Sequence, residues 1–386
     1  MKRLGSLILA LVLSLSFLII PVSAEEPAYP GKSWCLMDAA TGTVLQAYNE
    51  HEALAPASVT KVMTLLLIME AIDSGSLRWT DTVTASEAAA AKGGSQVYLK
   101  VGETMTVEEM VKSIAVSSAN DCACAMAEHL AGSESAFVDK MNARASELGM
   151  NDTHFVNCTG LDDAAAAKDH KTSAYDIALM SRELLVNHPD IKRFTTIWMD
   201  TVRDGAFGLS NTNKLVRFYD GCTGLKTGFT SSAGYCLSAS AERNGMGLIA
   251  VVMGASTSAD RFSACRQMLD YGFASYSLYT PEIPESSPVP VKLGSADSVA
   301  AVPGKSLQLL VEKGDLSRLT AELTLEEELT APVEQGQTIG QLVVYRDGNE
   351  LARIPMVAET PVERLGFMDL FRELLGKIAM AGSQHP

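Results

Sequence analysis

Apolar and polar positions change their spacing several times along this chain, and each change marks an element. Lys2 and Arg3 give a short positive start, Leu7 through Ile20 is almost wholly apolar, and Pro21-Val22-Ser23-Ala24 supplies the small residues of a cleavage site. This pattern predicts an export signal over residues 1–24 and a mature chain from Glu25. The alternative, a retained membrane anchor, needs roughly 20 apolar residues, and the run is shorter. From Ser33 to Tyr48 the chain reads as a β-hairpin. Trp34-Cys35-Leu36-Met37 and Val44-Leu45-Gln46-Ala47 flank a turn at Ala40-Thr41-Gly42, where glycine accepts positive φ.

Helical spacing then takes over. Val62, Leu65, Leu66 and Met69 mark the buried face of one helix, and Val107, Met110, Val111, Ile114 and Ala115 that of another. β-like runs return at Thr223 to Thr230, Tyr235 to Ala239 and Leu248 to Met253. The last two are joined around Arg243-Asn244-Gly245, a strong hairpin signal. Phe262, Cys265, Leu269 and Phe273 fall on one side of a closing helix that packs on the sheet. Helices and strands mix without regular βαβ alternation. The fold class expected for residues 25–276 is therefore mixed α/β (α+β), an antiparallel sheet covered by helices.

Pro281, Pro284, Pro288 and Pro290, with Ser286 and Ser287, mark a linker, assigned to residues 277–288. Residues 289–358 carry short β-like runs: Leu307 to Val311, Leu319 to Leu325 and Leu342 to Tyr345, the last followed by a turn at Asp347-Gly348. They predict a small all-β domain. In residues 359–386, Phe367, Phe371, Leu374 and Ile378 form an apolar helical stripe, with Asp369, Arg372, Glu373 and Lys377 around the polar side. Such a tail either packs on its own domain or lies in a membrane interface; after an export signal the second reading is preferred, although its cationic bias is weak.

A net charge of −15 argues against nucleic acid as a partner, because phosphates demand clustered Lys and Arg. The seven Cys are an odd count without zinc-finger spacing, the six His are scattered, and neither a metal nor an organic cofactor is implied. Most of these Cys read as small buried hydrophobes.

Three short motifs carry chemistry: Ser58-Val59-Thr60-Lys61, Ser118-Ala119-Asn120 and Lys226-Thr227-Gly228, in that order. Each alone is weak; together they match the Ser-x-x-Lys, Ser-x-Asn and Lys-Thr-Gly trio of penicillin-recognising enzymes. Ser58 and Lys61, one helical turn apart, share a face. A serine hydroxyl needs a base to become a nucleophile, and a lysine serves only where burial, a helix N-terminus or a second cation disfavours its ammonium. Pro56 suits the start of that helix.

With the flanking Ala55-Pro56-Ala57 and Gly224-Leu225…Phe229-Thr230, the trio resembles the low-molecular-mass penicillin-binding proteins, the D-alanyl-D-alanine carboxypeptidases of peptidase family S11. The likeness covers about Trp34 to Phe273 and extends to a C-terminal β domain and anchor. It implies a serine β-lactamase/transpeptidase-like domain that removes the terminal D-Ala from peptidoglycan stem peptides through an acyl-enzyme, is inhibited by β-lactams and works at the outer face of the cell membrane. Residue by residue, it implies Ser58 as nucleophile, Lys61 as general base and Ser118 in a proton relay. Asn120 would hold substrate, Lys226 would support the relay, and Thr227 would bind the terminal carboxylate on the Lys226-Thr227-Gly228 strand. The N–H groups of Ser58 and Phe229 would form the oxyanion hole. Arg261 resembles the family's carboxylate-binding arginine, with a surface helix cation as the alternative.

Two departures accompany the likeness. Ala119 stands where many relatives have Gly, and Thr159 where relatives often carry a His before Gly160-Leu161. A class A β-lactamase is the nearest rival, but Glu147-Leu148-Gly149-Met150-Asn151 is not its Glu-x-x-Leu-Asn pattern and reads as a helix end. A non-catalytic wall-binding protein would not need a nucleophile paired with a base.

Overall fold

The structure, a computed structural model, describes residues 29–162, 165–369 and 371. The expected export signal lies outside them. Strands β1 (Ser33–Asp38) and β2 (Val44–Tyr48) form the first hairpin. Helices α1 (Lys61–Asp73), α2 (Val107–Ser117), α3 (Asn120–Ala131), α4 (Glu134–Glu147) and α5 (Ala174–Asn187) follow. A small hairpin, β3 (Met199–Val202) with β4 (Phe207–Ser210), leads to β5 (Cys222–Thr230), β6 (Gly234–Arg243) and β7 (Met246–Ala255), and α6 (Ser258–Ser275) closes the region. The main sheet is antiparallel with order β2-β1-β7-β6-β5, so β5, which carries the third motif, is an edge strand.

Period-two alternation explains why this sheet is covered on both faces. Cys35, Met37, Ile249, Val251 and Met253 point into the larger core against the helices, while Trp34, Leu36, Leu248, Ala250 and Val252 point into a second core under α6. The near-continuous apolar run of β7 therefore serves two layers. The β6–β7 turn uses Asn244 (φ 51°) and Gly245 (φ 77°), both in the left-handed region that such two-residue turns require. Helix α2 starts from a capping box between Thr106 and Glu109 and ends at Ser118, whose φ of 65° breaks the helix before α3 begins at Asn120. That break turns the second motif out of the helix.

Beyond α6, β8 (Tyr276–Tyr279) pairs with β10 (Leu309–Glu312). The start of the segment assigned to a linker is thus a strand, because Tyr276 and Leu278 have an apolar surface beside α6 to pack on. Strands β9 (Ala301–Pro303), β11 (Leu319–Leu325), β12 (Thr338–Arg346) and β13 (Asn349–Ala358) form a sheet of order β9-β13-β12-β11, and Asp347 and Gly348, both at positive φ, make the expected β12–β13 turn. This β region has its own apolar clusters, around Val291, Val333 and Ile339 and around Leu342, Ile354 and Met356. Of the tail, residues 367–369 and 371 are helical, with Phe367, Met368 and Phe371 exposed; the rest of the expected amphipathic helix lies outside the described residues.

Candidate active site

Ser58 sits on a 3-10 turn (Ala57–Thr60) that runs directly into α1 at Lys61. A 3-10 turn eclipses residues i and i+3, and Lys61 Nζ lies 2.9 Å from Ser58 Oγ. The spacing expected of an α-helix is thus met by a tighter turn. Ala57 is held at φ 49°, a costly conformation for a residue with a Cβ, so surrounding contacts must enforce it.

Those contacts come from residues 156–161, a strap packed across the turn. Thr159 O accepts from Lys61 Nζ at 2.7 Å, and Cys158 O accepts from Thr64 Oγ1 at 2.6 Å. The Asn157 carboxamide oxygen takes N–H groups from Thr159 (3.1 Å) and Gly160 (2.6 Å), which folds the strap on itself. His170 completes the support. Val156 N–H donates to Nδ1 (3.1 Å), Nε2 lies 2.7 Å from Thr60 Oγ1, and Thr60 Oγ1 donates to Ala57 O (2.8 Å). Since Thr60 spends its proton on Ala57, Nε2 must carry the ring hydrogen, which makes His170 neutral; burial accordingly pushes its pKa down to about 4.

Lys61 is fully buried, and desolvation lowers its pKa from 10.5 to about 7 against the opposing pull of Cys158 and Asp121. Lys226, on β5, is held well below its ordinary value, first by burial and then by the charges of Lys61 and Arg261. Its Nζ donates to Thr227 O at 3.1 Å. Of the causes expected to disfavour an ammonium on Lys61, burial is the one that acts there, while neighbouring cations add to burial at Lys226.

Ser118 and Asn120 flank the α2–α3 break and are both buried. Asn120 Nδ2 donates to Gly93 O (2.7 Å), while its Oδ1 is buried without a partner in the structure, an acceptor free to take an amide N–H. Thr227 Oγ1 donates to Thr212 Oγ1 at 2.7 Å, so Thr212 joins the site although no motif marked it. Gly228 packs so closely that a Cβ there would lie 2.7 Å from Pro56 O and 3.0 Å from Ser58 N. The Gly228 carbonyl accepts from Arg261 Nη1 at 2.8 Å. The Gly228 carbonyl and the Phe229 N–H belong to one trans peptide unit and point oppositely, so the Phe229 N–H faces away from Arg261.

Arg261 is 8% exposed, wedged by the rings of Tyr235 and Phe262, with Nε buried and unpartnered. The surface-cation alternative is therefore overturned: a desolvated guanidinium stands beneath the Lys226-Thr227-Gly228 strand. The seven Cys are all free, and all but Cys222 are buried. Among the described residues, Glu70, Glu183 and His188 are close enough to share a cation, but Arg144 already pairs with both carboxylates, at 2.6 and 2.7 Å. Glu147 pairs with Arg144 at the end of α4, and the following residues form a turn, as expected of a helix end.

The family model for D-alanyl-D-alanine carboxypeptidase, peptidase S11, matches residues 20–257, and that for the C-terminal domain of penicillin-binding protein 5 matches residues 282–364. The chain is 41% identical over 388 residues to the D-alanyl-D-alanine carboxypeptidase DacF of Bacillus subtilis, covering 97% of this chain and 98% of that one. It is 33% identical to the carboxypeptidase DacC of Escherichia coli, over 89% of this chain and 87% of the relative. Among solved structures, penicillin binding protein 5 from Haemophilus influenzae superposes with a TM-score of 0.76 at 30% identity, over 88% of this chain and 99% of that one. Penicillin-binding protein D2 from Listeria monocytogenes in its ampicillin-bound form matches with a TM-score of 0.59 at 30% identity, over 64% of this chain and all of that one. The sheet and the helices around it are thus those of one family, and the chain belongs to the D-alanyl-D-alanine carboxypeptidases of peptidase family S11.

Proposed function

We propose that this chain removes the terminal D-Ala from peptidoglycan stem peptides through an ester on Ser58. The observation that carries the reading is the 2.9 Å contact between Ser58 Oγ and a buried lysine whose pKa is about 7. At neutral pH a sizeable fraction of Lys61 is the free amine, able to take the hydroxyl proton. Ser58 Oγ then bonds to the penultimate D-Ala carbonyl carbon, and the oxyanion is met by the N–H groups of Ser58 and Phe229. The C–N bond to the terminal D-Ala breaks as its nitrogen is protonated from the Lys61–Ser118 side. Water cleaves the ester and frees the shortened peptide.

Substrate orientation follows from charge. Lys226 and Arg261 bring buried positive charge to the Thr227–Gly228 strand, and an anionic terminal carboxylate relieves their crowding. Thr227 Oγ1 is the hydroxyl beside that carboxylate and donates to it, turning its proton away from Thr212. Asn120, with one amide oxygen unpartnered, takes a backbone N–H of the stem. β-Lactams place a strained amide on the same path and acylate Ser58; the ampicillin-bound relative supports this.

The same proposal assigns residues 1–24 to export, residues 25–276 to the catalytic domain and residues 289–358 to a separate β domain. The tail attaches the enzyme to the outer face of the cell membrane. No helix of the described residues is long and apolar enough to cross a membrane. Exposed Phe367, Met368 and Phe371 support a tail that lies in the interface.

Digestion of purified stem pentapeptides, followed by mass spectrometry, tests the reading. The mature protein yields tetrapeptide and free D-Ala, a penicillin adds one adduct at Ser58, and Ser58→Ala yields neither. D-Ala release by Ser58→Ala would sink the mechanism.

A further inference from the structure

Behind the cleft, the first residue of α4 makes contacts that the reaction does not use. Glu134 is about three-quarters buried and reaches three separate segments. Its Oε2 is paired with Lys92 Nζ at 2.6 Å. Its Oε1 accepts the backbone N–H of Cys158 at 3.3 Å and the Cys158 thiol at 3.2 Å. The Cys124 thiol, one turn into α3, lies 4.0 Å from Oε2.

Each partner leads to a residue of the cleft. Cys158 is followed by Thr159, whose carbonyl holds Lys61 Nζ at 2.7 Å. Lys92 is followed by Gly93, whose carbonyl holds Asn120 Nδ2 at 2.7 Å, and Ser95 O accepts Asn120 N–H at the same distance. Desolvation alone would raise the Glu134 pKa, yet the Lys92 bond and charge hold it below the ordinary carboxylate range, so the pair is ionic. Its position in the first turn of a helix favours the same charge.

We propose that Glu134, together with Lys92, is a positioning residue for acylation, one carboxylate tying the segment that orients the Lys61 amine to the segment that orients the Asn120 amide. The assignment rests on the roles given above to Lys61 and Asn120. Loss of the tie lets the strap move from Lys61 and the Gly93 carbonyl from Asn120, misplacing base and substrate together. Displacements on the order of 1 Å cost up to about a hundredfold in such sites.

The test compares wild type, Glu134→Gln, Lys92→Met and Lys92→Arg as mature proteins. The measurements are the second-order rate of penicillin acylation per titratable Ser58, its pH profile, D-Ala release and Tm. Glu134→Gln and Lys92→Met are expected to acylate about ten- to a hundredfold more slowly. The acid limb should also move to lower pH. Thr159 O binds the ammonium more strongly than the amine, so retreat of that carbonyl lowers the Lys61 pKa. Lys92→Arg keeps the cation and should restore both rate and limb. A merely structural pair would lower Tm and leave rate per site and limb unmoved, and that result overturns the proposal. Lys92→Met decides the matter if Glu134→Gln does not fold. Failure of wild type to release D-Ala would instead remove the functional reading itself.

Discussion

Gly160 and Ala57 meet backbone to backbone: a Cβ on Gly160 would lie 1.8 Å from the Ala57 carbonyl oxygen, and Gly160 itself sits at φ 81°. The contact presses the strap onto the turn that carries Ser58 and helps hold Ala57 at its own positive φ. Gly160→Ala must push the two segments apart and also strain its backbone, each a cost of about 1–3 kcal/mol. The expected outcome is a lower Tm and loss of most penicillin acylation, because Ser58 and the Thr159 carbonyl move relative to Lys61. Wild-type acylation in a folded Gly160→Ala protein would show that the strap does not set the nucleophile.

Burying Lys61 serves the reaction at the expense of stability. With an ordinary pKa of 10.5 and a value of about 7 when folded, the group binds more protons unfolded than folded between those limits. Its cost to folding is therefore greatest below about pH 7 and vanishes as pH rises toward 10.5. Lys61→Met removes the cost, so its denaturant midpoint should exceed that of wild type near pH 7, with the gap closing toward pH 10. The same variant should not acylate. In wild type, acylation should rise about tenfold per pH unit below about 7 and level off above it, where the amine is already free. A profile with no inflection between pH 6 and 8 would count against Lys61 as the base.

Much of this arrangement is legible in the sequence. The hairpins at Ala40-Thr41-Gly42 and Asn244-Gly245 follow from local turn chemistry, and the three motifs follow from short spacings that bring chemistry together within a few residues. What the sequence hides depends on contacts between distant segments. Thr212 meets Thr227 across 15 residues and His170 meets Thr60 across 110, so no periodicity marks them. Thr159 stands out only as a departure from the His of many relatives, yet its contribution to Lys61 is its carbonyl, which any residue supplies. Arg261 is ambiguous in sequence for a similar reason: helix α6 exposes one side and buries the other, and the residues around Asp260-Arg261-Phe262 do not say which side is which.

Thr212 offers a test of the carboxylate site that leaves the nucleophile alone. Its hydroxyl accepts the Thr227 proton and so competes for it with a bound carboxylate, which can only accept. Thr212→Val keeps the shape and removes that acceptor. Thr227 can then donate to the carboxylate without giving up a hydrogen bond. KM for the peptide should fall several-fold with kcat little changed, since a contact made equally in ground and transition states affects binding alone. A fall in kcat at constant KM would place Thr212 in the proton path instead.

His170 carries the last prediction. Its Nδ1 accepts from Val156 N–H and its Nε2–H reaches Thr60, so both nitrogens are committed and the ring has no place for a second proton. The folded pKa is about 4 against an ordinary 6.5, so the unfolded chain takes up a proton that the folded one refuses as pH falls between those values. Stability supplied by the neutral ring is complete above about pH 6.5 and drains away as pH approaches 4, at up to about 1.4 kcal/mol per unit. His170→Gln can still offer an acceptor and a donor but does not titrate. Its denaturant midpoint should begin below that of wild type at pH 7.5, from imperfect geometry, and fall less steeply between pH 6.5 and 4. Equal slopes for the two proteins across that window would mean that His170 does not link the Ser58 turn to pH.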